Sequence, residues 1–153
     1  MKGIIEVKAN LQNQGITQII SQANENGQFI FGGKDANDKR RKIFNGVFSF
    51  GGYENDFRQD TFVSSYLESN NNFTDDEHFK KYKVSHVNLN KDWFIKYWAE
   101  DANPHSLYNI EDLSFSFFIS NLIDFLSNKS VKKNNFLWYA TNKELNLINV
   151  SSL

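Results

Sequence analysis

Aromatic residues are the feature of this sequence that most restricts what it can fold into. The chain of 153 residues contains 15 Phe, 6 Tyr and 3 Trp. Each aromatic side chain buries about 150–250 Å² when it is covered, so the chain has the material for one substantial core. The length fits one domain of about 100–200 residues. We predict a single domain over residues 1–153, with aromatic side chains left over for a contact with a partner.

Charge and composition argue against several classes of function. The 17 basic and 18 acidic residues give a net charge of −1, whereas nucleic-acid-binding domains usually carry a clear basic excess. We therefore interpret the basic run 39–42 as a solvated loop or strand edge and do not expect a nucleic-acid partner. The lack of Cys excludes disulfides and thiolate metal sites and fits a reducing compartment. Because no apolar run approaches a membrane span, we expect a soluble, cytoplasmic protein with no membrane partner.

Periodicity in the first third of the chain predicts three strands and a helix. Ile4 to Ala9 is rich in β-branched residues and predicts a strand. Ile16, Ile19, Ile20 and Ala23 have helical spacing, and Gly27 is placed to end that helix. Two similar segments, Phe29 to Gly33 and Phe48 to Gly52, each combine aromatic residues with a Gly pair. We interpret them as neighbouring strands that end in sheet turns.

The remaining segments complete an α+β pattern. We predict strands over Asp60–Leu67 and Tyr82–Leu89, a short helix over Lys91–Glu100 capped by Asn90, and a long helix over Ile110–Ser127 capped by Asn109. The long helix should bury Phe115, Phe118, Ile119, Leu122, Phe125 and Leu126. Phe136–Thr141 and Leu145–Val150 predict a closing hairpin. This order favours a single α+β domain with a mostly antiparallel sheet and two or three helices.

The polar residues show no pattern that demands catalysis. None of His78, His86 and His105 has a second ligand at metal-binding spacing, and a nucleophile elbow and a dinucleotide fingerprint are both lacking. We therefore predict no catalytic residue, no metal site and no cofactor. One enzymatic alternative stays open, an RNase-type toxin that uses His86 and His105 as base and acid. In that reading Lys83 or Lys80 stabilises the phosphorane.

The segment from Trp93 to Asp101 has the most unusual composition. Read as a helix, it carries two aromatic lines, Trp93 with Tyr97 and Phe94 with Trp98. Either this helix is buried on most of its surface, or one line faces a partner. Trp and Tyr beside carboxylates are typical of interface hot spots. The predicted partner-binding residues are Trp93, Tyr97, Trp98, Glu100 and Asp101, together with Asp75, Asp76 and Glu77 of an acidic loop.

These observations favour a non-enzymatic protein that inhibits a protein partner by covering its active surface. Small size, the lack of a catalytic motif and aromatic residues beside acids suit an immunity protein that neutralises a toxin, or a phage-encoded anti-defence protein. The acidic loops would then cover a basic cleft in a toxin or host defence protein. The alternative is the small RNase-type toxin that uses His86 and His105 with a Lys. The sequence leaves the oligomeric state open.

Overall fold

A computed structural model describes residues 2–12, 14–32, 43–52, 58–71, 73, 78–97, 105–127 and 149–152. Within these residues the chain forms one sheet with helices on both faces. The elements are β1 (Lys2–Asn10), α1 (Ile16–Phe31), β2 (Ile43–Gly51), α2 (Gln59–Asn71), α3 (Phe79–Tyr82), β3 (His86–Asn88), β4 (Trp93–Tyr97), β5 (His105–Asn109), α4 (Ser114–Ser127) and β6 (Asn149–Ser152).

The sheet is mixed, and its six described strands lie in the order of the sequence. β1 pairs in parallel with β2, and β2 pairs in parallel with β3. The other three pairings, from β3 through β6, are antiparallel. The predicted α+β class with a mostly antiparallel sheet is therefore confirmed. The two parallel pairings require long crossovers, and these crossovers contain α1 and the α2–α3 segment.

The helices divide the core into two layers, one on each face of the sheet. The first face carries α1 and α2, whose buried side chains pack with Val47, Val87, Ile95 and Leu107 of the strands. The second face carries α4, whose Phe117 and Phe118 pack with Phe44 and Phe94. A smaller cluster of Phe31, Ile43, Phe79 and Tyr82 closes one end of the first face. Because both faces are covered, the central strands lack a simple apolar–polar alternation.

Two glycines permit close approaches that any other residue would block. A Cβ at Gly27 of α1 would lie 2.5 Å from Nδ2 of Asn45 and from the carbonyl oxygen of Tyr82. A Cβ at Gly46 of β2 would lie 2.7 Å from the ring of Phe118. Gly27 therefore lets α1 lie against the sheet, and Gly46 does the same for α4. The prediction that Gly27 ends the helix is wrong, since α1 continues to Phe31.

Three buried asparagines join the first-face helices to the sheet. Asn24 donates from Nδ2 to Oδ1 of Asn70 in α2 (3.1 Å) and accepts the Val84 N–H at Oδ1 (2.7 Å). Asn45 of β2 donates to the carbonyl oxygens of Ala23 and Tyr82, both at 2.8 Å. Asn24 and Asn45 are fully buried. Buried polar groups are costly unless they are hydrogen-bonded, so this network specifies how the helices dock.

Two predicted strands are helical in the structure. The last turn of α1 contains Phe29, Ile30 and Phe31, so the segment Phe29–Gly33 is not a strand beside Phe48–Gly52. Of these two segments, only Phe48–Gly52 lies mainly in a strand, which is β2. Asp60–Leu67 lies within α2, where Phe62 and Tyr66 are buried at helical spacing. Burial against α1 decides the helix there, because tertiary packing overrides a local preference. Tyr82–Leu89 is a strand only at His86–Asn88.

The predicted helix at Lys91–Glu100 is also wrong, because Trp93–Tyr97 forms β4. Asn90 does make cap-like bonds, since its Oδ1 accepts the N–H groups of Asp92 (2.8 Å) and Trp93 (3.0 Å). Those bonds close the turn between β3 and β4 instead of starting a helix. Trp93 and Ile95 pack into the first-face core, and Phe94 packs into the second-face core. A segment buried on both faces cannot be told from a buried helix by periodicity.

The long C-terminal helix is confirmed, with a later start. α4 begins at Ser114, and the predicted cap Asn109 belongs to β5. The Ser114 hydroxyl donates to the Trp93 carbonyl oxygen (2.7 Å) and accepts from Nδ2 of Asn88. Phe118 is buried as predicted, whereas Ile119 and Leu126 are exposed. Phe136–Thr141 and Leu145–Ile148 of the predicted hairpin lie outside the described residues, and β6 starts at Asn149.

Phe118 offers a direct test of the second-face core. Its ring is 1% exposed and packs edge-on against Phe44 (5.7 Å between centroids) and Phe48 (5.2 Å). We expect Phe118→Ala to lower the free energy of unfolding by about 3–5 kcal/mol, because it deletes a buried ring and leaves a cavity. Chemical denaturation measures the change. Ile119→Ala, at the exposed neighbour, is the control and should cost much less; equal losses would contradict this packing.

Candidate functional site

The first candidate site is an apolar surface on the second face of the sheet, beside α4. β1 pairs with β2 so that Ile5 lies opposite Gly46 and Val7 opposite Phe48. Paired residues point to the same side of a sheet, so Ile5 and Val7 share the face that carries α4. Ile5 and Val7 nevertheless remain exposed, Val7 to 57%. The reason is that α4 packs on β2, β3 and β4.

Aromatic side chains connect this uncovered strand to α4. Phe50 at the end of β2 is 64% exposed and lies 5.2 Å from the Phe48 ring and 6.5 Å from the Phe115 ring, measured between centroids. Phe115 in turn lies 5.3 Å from Phe48. Phe117, on the other side of α4, contacts Phe94 of β4. The Phe115 side of α4 therefore faces toward β1.

The Phe115 side of α4 continues as an exposed apolar stripe. Ile119 follows Phe115 by four residues and Leu126 follows it by eleven, so all three lie on one side of the helix. Ile119 is 45% exposed and Leu126 59%. The floor of Ile5, Val7 and Phe50 and the wall of Phe115, Ile119 and Leu126 form what we call the apolar trough. Contiguous exposed apolar surface of this kind usually marks an interaction site.

A second candidate is a buried lysine–histidine cluster on the first face. Lys83 Nζ lies 3.0 Å from Nε2 of His105, and both residues are at least 90% buried. The Lys83 ammonium also lies over the rings of Tyr97 (4.1 Å) and Phe79 (5.1 Å). Burial lowers the pKa of Lys83 to about 8, with Lys80 adding repulsion. Burial and the nearby Lys83 together lower the pKa of His105 to about 4, so His105 is neutral at pH 7 and accepts a hydrogen bond from the ammonium.

His86 belongs to a different polar cluster, on the second face. Its ring stacks on Phe44 at 4.7 Å, and its Nδ1 lies 2.8 Å from the Ser85 hydroxyl. Burial and the neighbouring Lys96 lower the pKa of His86 to about 3. Burial also lowers the pKa of Lys96 to about 7, against the attraction of Asp124. His86 is therefore neutral at physiological pH and packs beneath α4.

His86 and His105 point to opposite faces of the sheet. His86 pairs with Lys96, and His105 pairs with Tyr97. Lys96 and Tyr97 are consecutive in β4, and consecutive strand residues point to opposite faces. The His105 ring contacts Tyr66 of α2 at 5.3 Å, whereas His86 stacks on Phe44 beneath α4. The sheet therefore separates the two histidines.

Most of the predicted partner-binding residues lie outside the described part of the chain. These are Trp98, Glu100, Asp101, Asp75, Asp76 and Glu77, and the basic run 39–42 is also outside it. Trp93 is partly buried against the first-face core. Tyr97 is 9% exposed and contacts His105 at 5.1 Å. Their predicted role in binding stays a prediction, but Tyr97 has little surface to offer a partner.

Sequence reasoning did not find the apolar trough. The strand Ile4–Ala9 alternates Ile5 and Val7 with Glu6 and Lys8, a pattern that ordinarily turns the apolar side inward. The one available signal was the width of the apolar stripe on the predicted long helix. With Ile119, Ile123 and Leu126 included, this stripe is wider than the helix surface that packing against one sheet would bury. Which part of the stripe is covered depends on where α4 crosses the sheet.

Comparison of this chain with protein-family models, with curated proteins and with solved structures found no match. Within the described residues, no group of three or more His, Asp or Glu side chains is placed to hold a metal ion. None of the described helices is both long and apolar enough to cross a membrane. The apolar trough and the two polar clusters are the described features that can indicate a function.

The lysine–histidine cluster makes stability depend on pH. The pKa of Lys83 falls from 10.5 to about 8 on folding, so the unfolded chain holds more protons between these values and stability rises with pH. We expect Lys83→Met to make the rise between pH 8 and 10 shallower. Burial raises the pKa values of Tyr66 and Tyr97, so ionisation of these tyrosines lowers stability at high pH and cannot produce the rise.

Denaturation midpoints across that pH range measure this effect. The matched control is Lys80→Met, which removes an exposed lysine from the neighbouring helical turn. The control should keep most of the wild-type rise, because burial is the larger cause of the lowered Lys83 pKa and repulsion by Lys80 the smaller. A Lys83→Met curve as steep as the wild-type curve would show that the Lys83 amine is not desolvated.

Proposed function

We propose that this protein acts by binding another protein through the apolar trough, without catalysis of its own. The observation that carries the proposal is the exposure of Val7, Phe50 and Leu126 on the side of the sheet that carries α4, each more than half exposed. Leaving large apolar side chains in water is unfavourable by about 25 cal/mol per Å². A partner that covers them gains that free energy, so the trough is a surface suited to binding.

The shape of the trough favours an amphipathic helix as the bound segment. From Phe115 to Leu126 the wall extends over twelve residues of α4, and the eleven helical rises between its ends span about 16 Å. The floor runs along β1 beside it. A groove with apolar floor and wall accepts the apolar side of a helix that presents residues at i, i+3, i+4 and i+7. A partner helix of about three turns would match the length of the wall.

The finer proposal is that binding inhibits the partner, as in an immunity protein or a phage-encoded anti-defence protein. In that role the apolar trough supplies affinity, and the acidic residues Asp75–Glu77, Glu100 and Asp101 direct the protein toward a basic cleft in a toxin or host defence protein. Charged residues at an interface rim mainly affect association rate and specificity. The lack of Cys suits a reducing compartment, and we propose the cytoplasm as the place of action.

The positions of the histidines favour binding over the RNase alternative. That mechanism needs His86 and His105 on the same phosphate, one as base and the other as acid. The two side chains lie on opposite faces of the sheet. The pKa of His86 is lowered to about 3 and that of His105 to about 4, so neither would act as a protonated general acid at neutral pH.

We expect purified protein to leave labelled RNA intact at neutral pH, because neither polar cluster combines an accessible base with an acid. Gel electrophoresis of RNA incubated with wild-type protein and with His105→Ala provides the measurement. RNA degradation by the wild type that His105→Ala abolishes would favour the enzymatic alternative. Degradation that survives in His105→Ala and in His86→Ala would point to a contaminant.

A charge placed in the trough should weaken partner binding. We expect Phe50→Asp to weaken binding by about 2 kcal/mol or more, roughly 30-fold in Kd, as at other hot spots. Affinity capture from the native host, quantified by mass spectrometry, identifies a candidate partner. Calorimetry with the purified partner then measures Kd, and an assay of that partner's own activity tests inhibition.

The control is Phe29→Asp, which introduces the same charge at a phenylalanine that is 87% exposed on α1, outside the trough. It should bind the partner as tightly as the wild type does. Circular dichroism and denaturation establish that both variants fold. If Phe50→Asp and Phe29→Asp capture the same protein equally well, the trough is not the binding surface.

A further inference from the structure

The outer edge of β1 is a second surface of the molecule that can bind another chain. β1 runs for nine residues and pairs with β2 along most of its length. In the part of the chain that the structure describes, β1 is the terminal strand of the sheet, with no strand on its other side. The N–H and C=O groups on such an edge readily pair with a strand of another chain.

Charge along this edge is self-complementary. Glu6 and Lys8 flank Val7, and Glu6 Oε1 lies 2.8 Å from Lys8 Nζ. Suppose that two β1 strands pair in an antiparallel arrangement centred on Val7. Glu6 of each copy then lies opposite Lys8 of the other, so four charges alternate in sign across the contact. A pairing centred one residue earlier would instead place Glu6 opposite Glu6, which is destabilising.

The apolar side of the strand fits the same register. Val7 lies opposite Val7 of the other copy, and Ile5 lies opposite Ala9. Ile5 and Val7 are both exposed in the single chain, and cross-strand pairs of β-branched residues stabilise a sheet. An unpaired lysine on an edge normally opposes strand pairing. Here Glu6 neutralises the charge of Lys8, and the protection against strand pairing is therefore lost.

We propose that two copies of this chain associate by antiparallel pairing of their β1 strands, with a two-fold axis at Val7. This contact is isologous, because each copy offers the same segment to the other. It goes beyond the proposed function, since the pairing uses the strand edge and leaves the trough side chains on the open face. The two troughs then lie side by side on one surface, between two copies of α4.

Charge reversal tests the register. We expect the wild type to show a dimer mass that rises with concentration in sedimentation velocity or light scattering. Glu6→Lys and Lys8→Glu should each lose the dimer, because like charges then face each other. An equal mixture of the two variants should recover it, since every facing pair is opposite again. A folding defect in either variant would not be rescued by mixing.

A cysteine at the axis tests the contact directly. The sequence contains no Cys, so a single introduced thiol reports on one position. Directly opposite residues in antiparallel strands have Cβ atoms about 4.5–5.5 Å apart, close to disulfide distance. We expect Val7→Cys to form an intermolecular disulfide in oxidised glutathione much faster than Phe29→Cys, whose position is exposed on α1.

Three results would overturn the proposal: a monomer at every concentration, no recovery of the dimer on mixing, or equal crosslinking of Val7→Cys and Phe29→Cys. The proposed partner binding can be judged separately. Phe50→Asp changes a residue of the trough but no residue of β1. This variant should therefore keep the dimer mass while it loses affinity for the partner. A dimer that fails while Phe50→Asp still abolishes partner capture would leave the proposed function in place.

Discussion

The buried asparagine network is the constraint on which the described fold most depends. Asn24 and Asn45 lie at the point where α1, α2, β2 and the chain entering β3 meet, and each bonds groups from two other segments. Removing one of them would leave carbonyl or N–H groups buried without partners, a penalty of about 1–3 kcal/mol for each group. Apolar packing alone would allow α1 to slide along the sheet. The amides allow one position, and Gly27 is the residue that lets α1 come that close.

The docking of the helices also determines which surface stays open. α1 and α2 cover the first face, and α4 covers β2, β3 and β4 on the second. β1 therefore has a covered side and an uncovered side, and the uncovered side carries Ile5 and Val7. Phe50 and the α4 stripe extend this surface into a trough. Among the described residues, α4 is the one helix on this face, and the sheet is wider than α4 can cover, which leaves the trough exposed.

The buried polar residues, unlike the trough, offer no exposed surface for binding. Lys83 and Lys96 are buried on opposite faces, and burial lowers the pKa of both. The two buried histidines are neutral and pack against aromatic rings. Because the sheet separates the two polar clusters, they do not form a shared catalytic centre. Their buried groups instead make the stability of the fold depend on pH. For this reason we propose the trough as the surface that binds a partner and the β1 edge as a contact between copies.

Local periodicity was enough to predict the α+β class, the strand at β1, the start of α1 and the helix that buries Phe118. It also indicated a protein without an evident catalytic motif. Tertiary structure alone decided that Asp60–Leu67 is helical and that Trp93–Tyr97 is a strand. In both segments the burial pattern depends on what packs against each side, and the local pattern of residues does not reveal it. The same holds for Ile5 and Val7: alternation predicted which residues share a face, but only the position of α4 decided that this face is exposed.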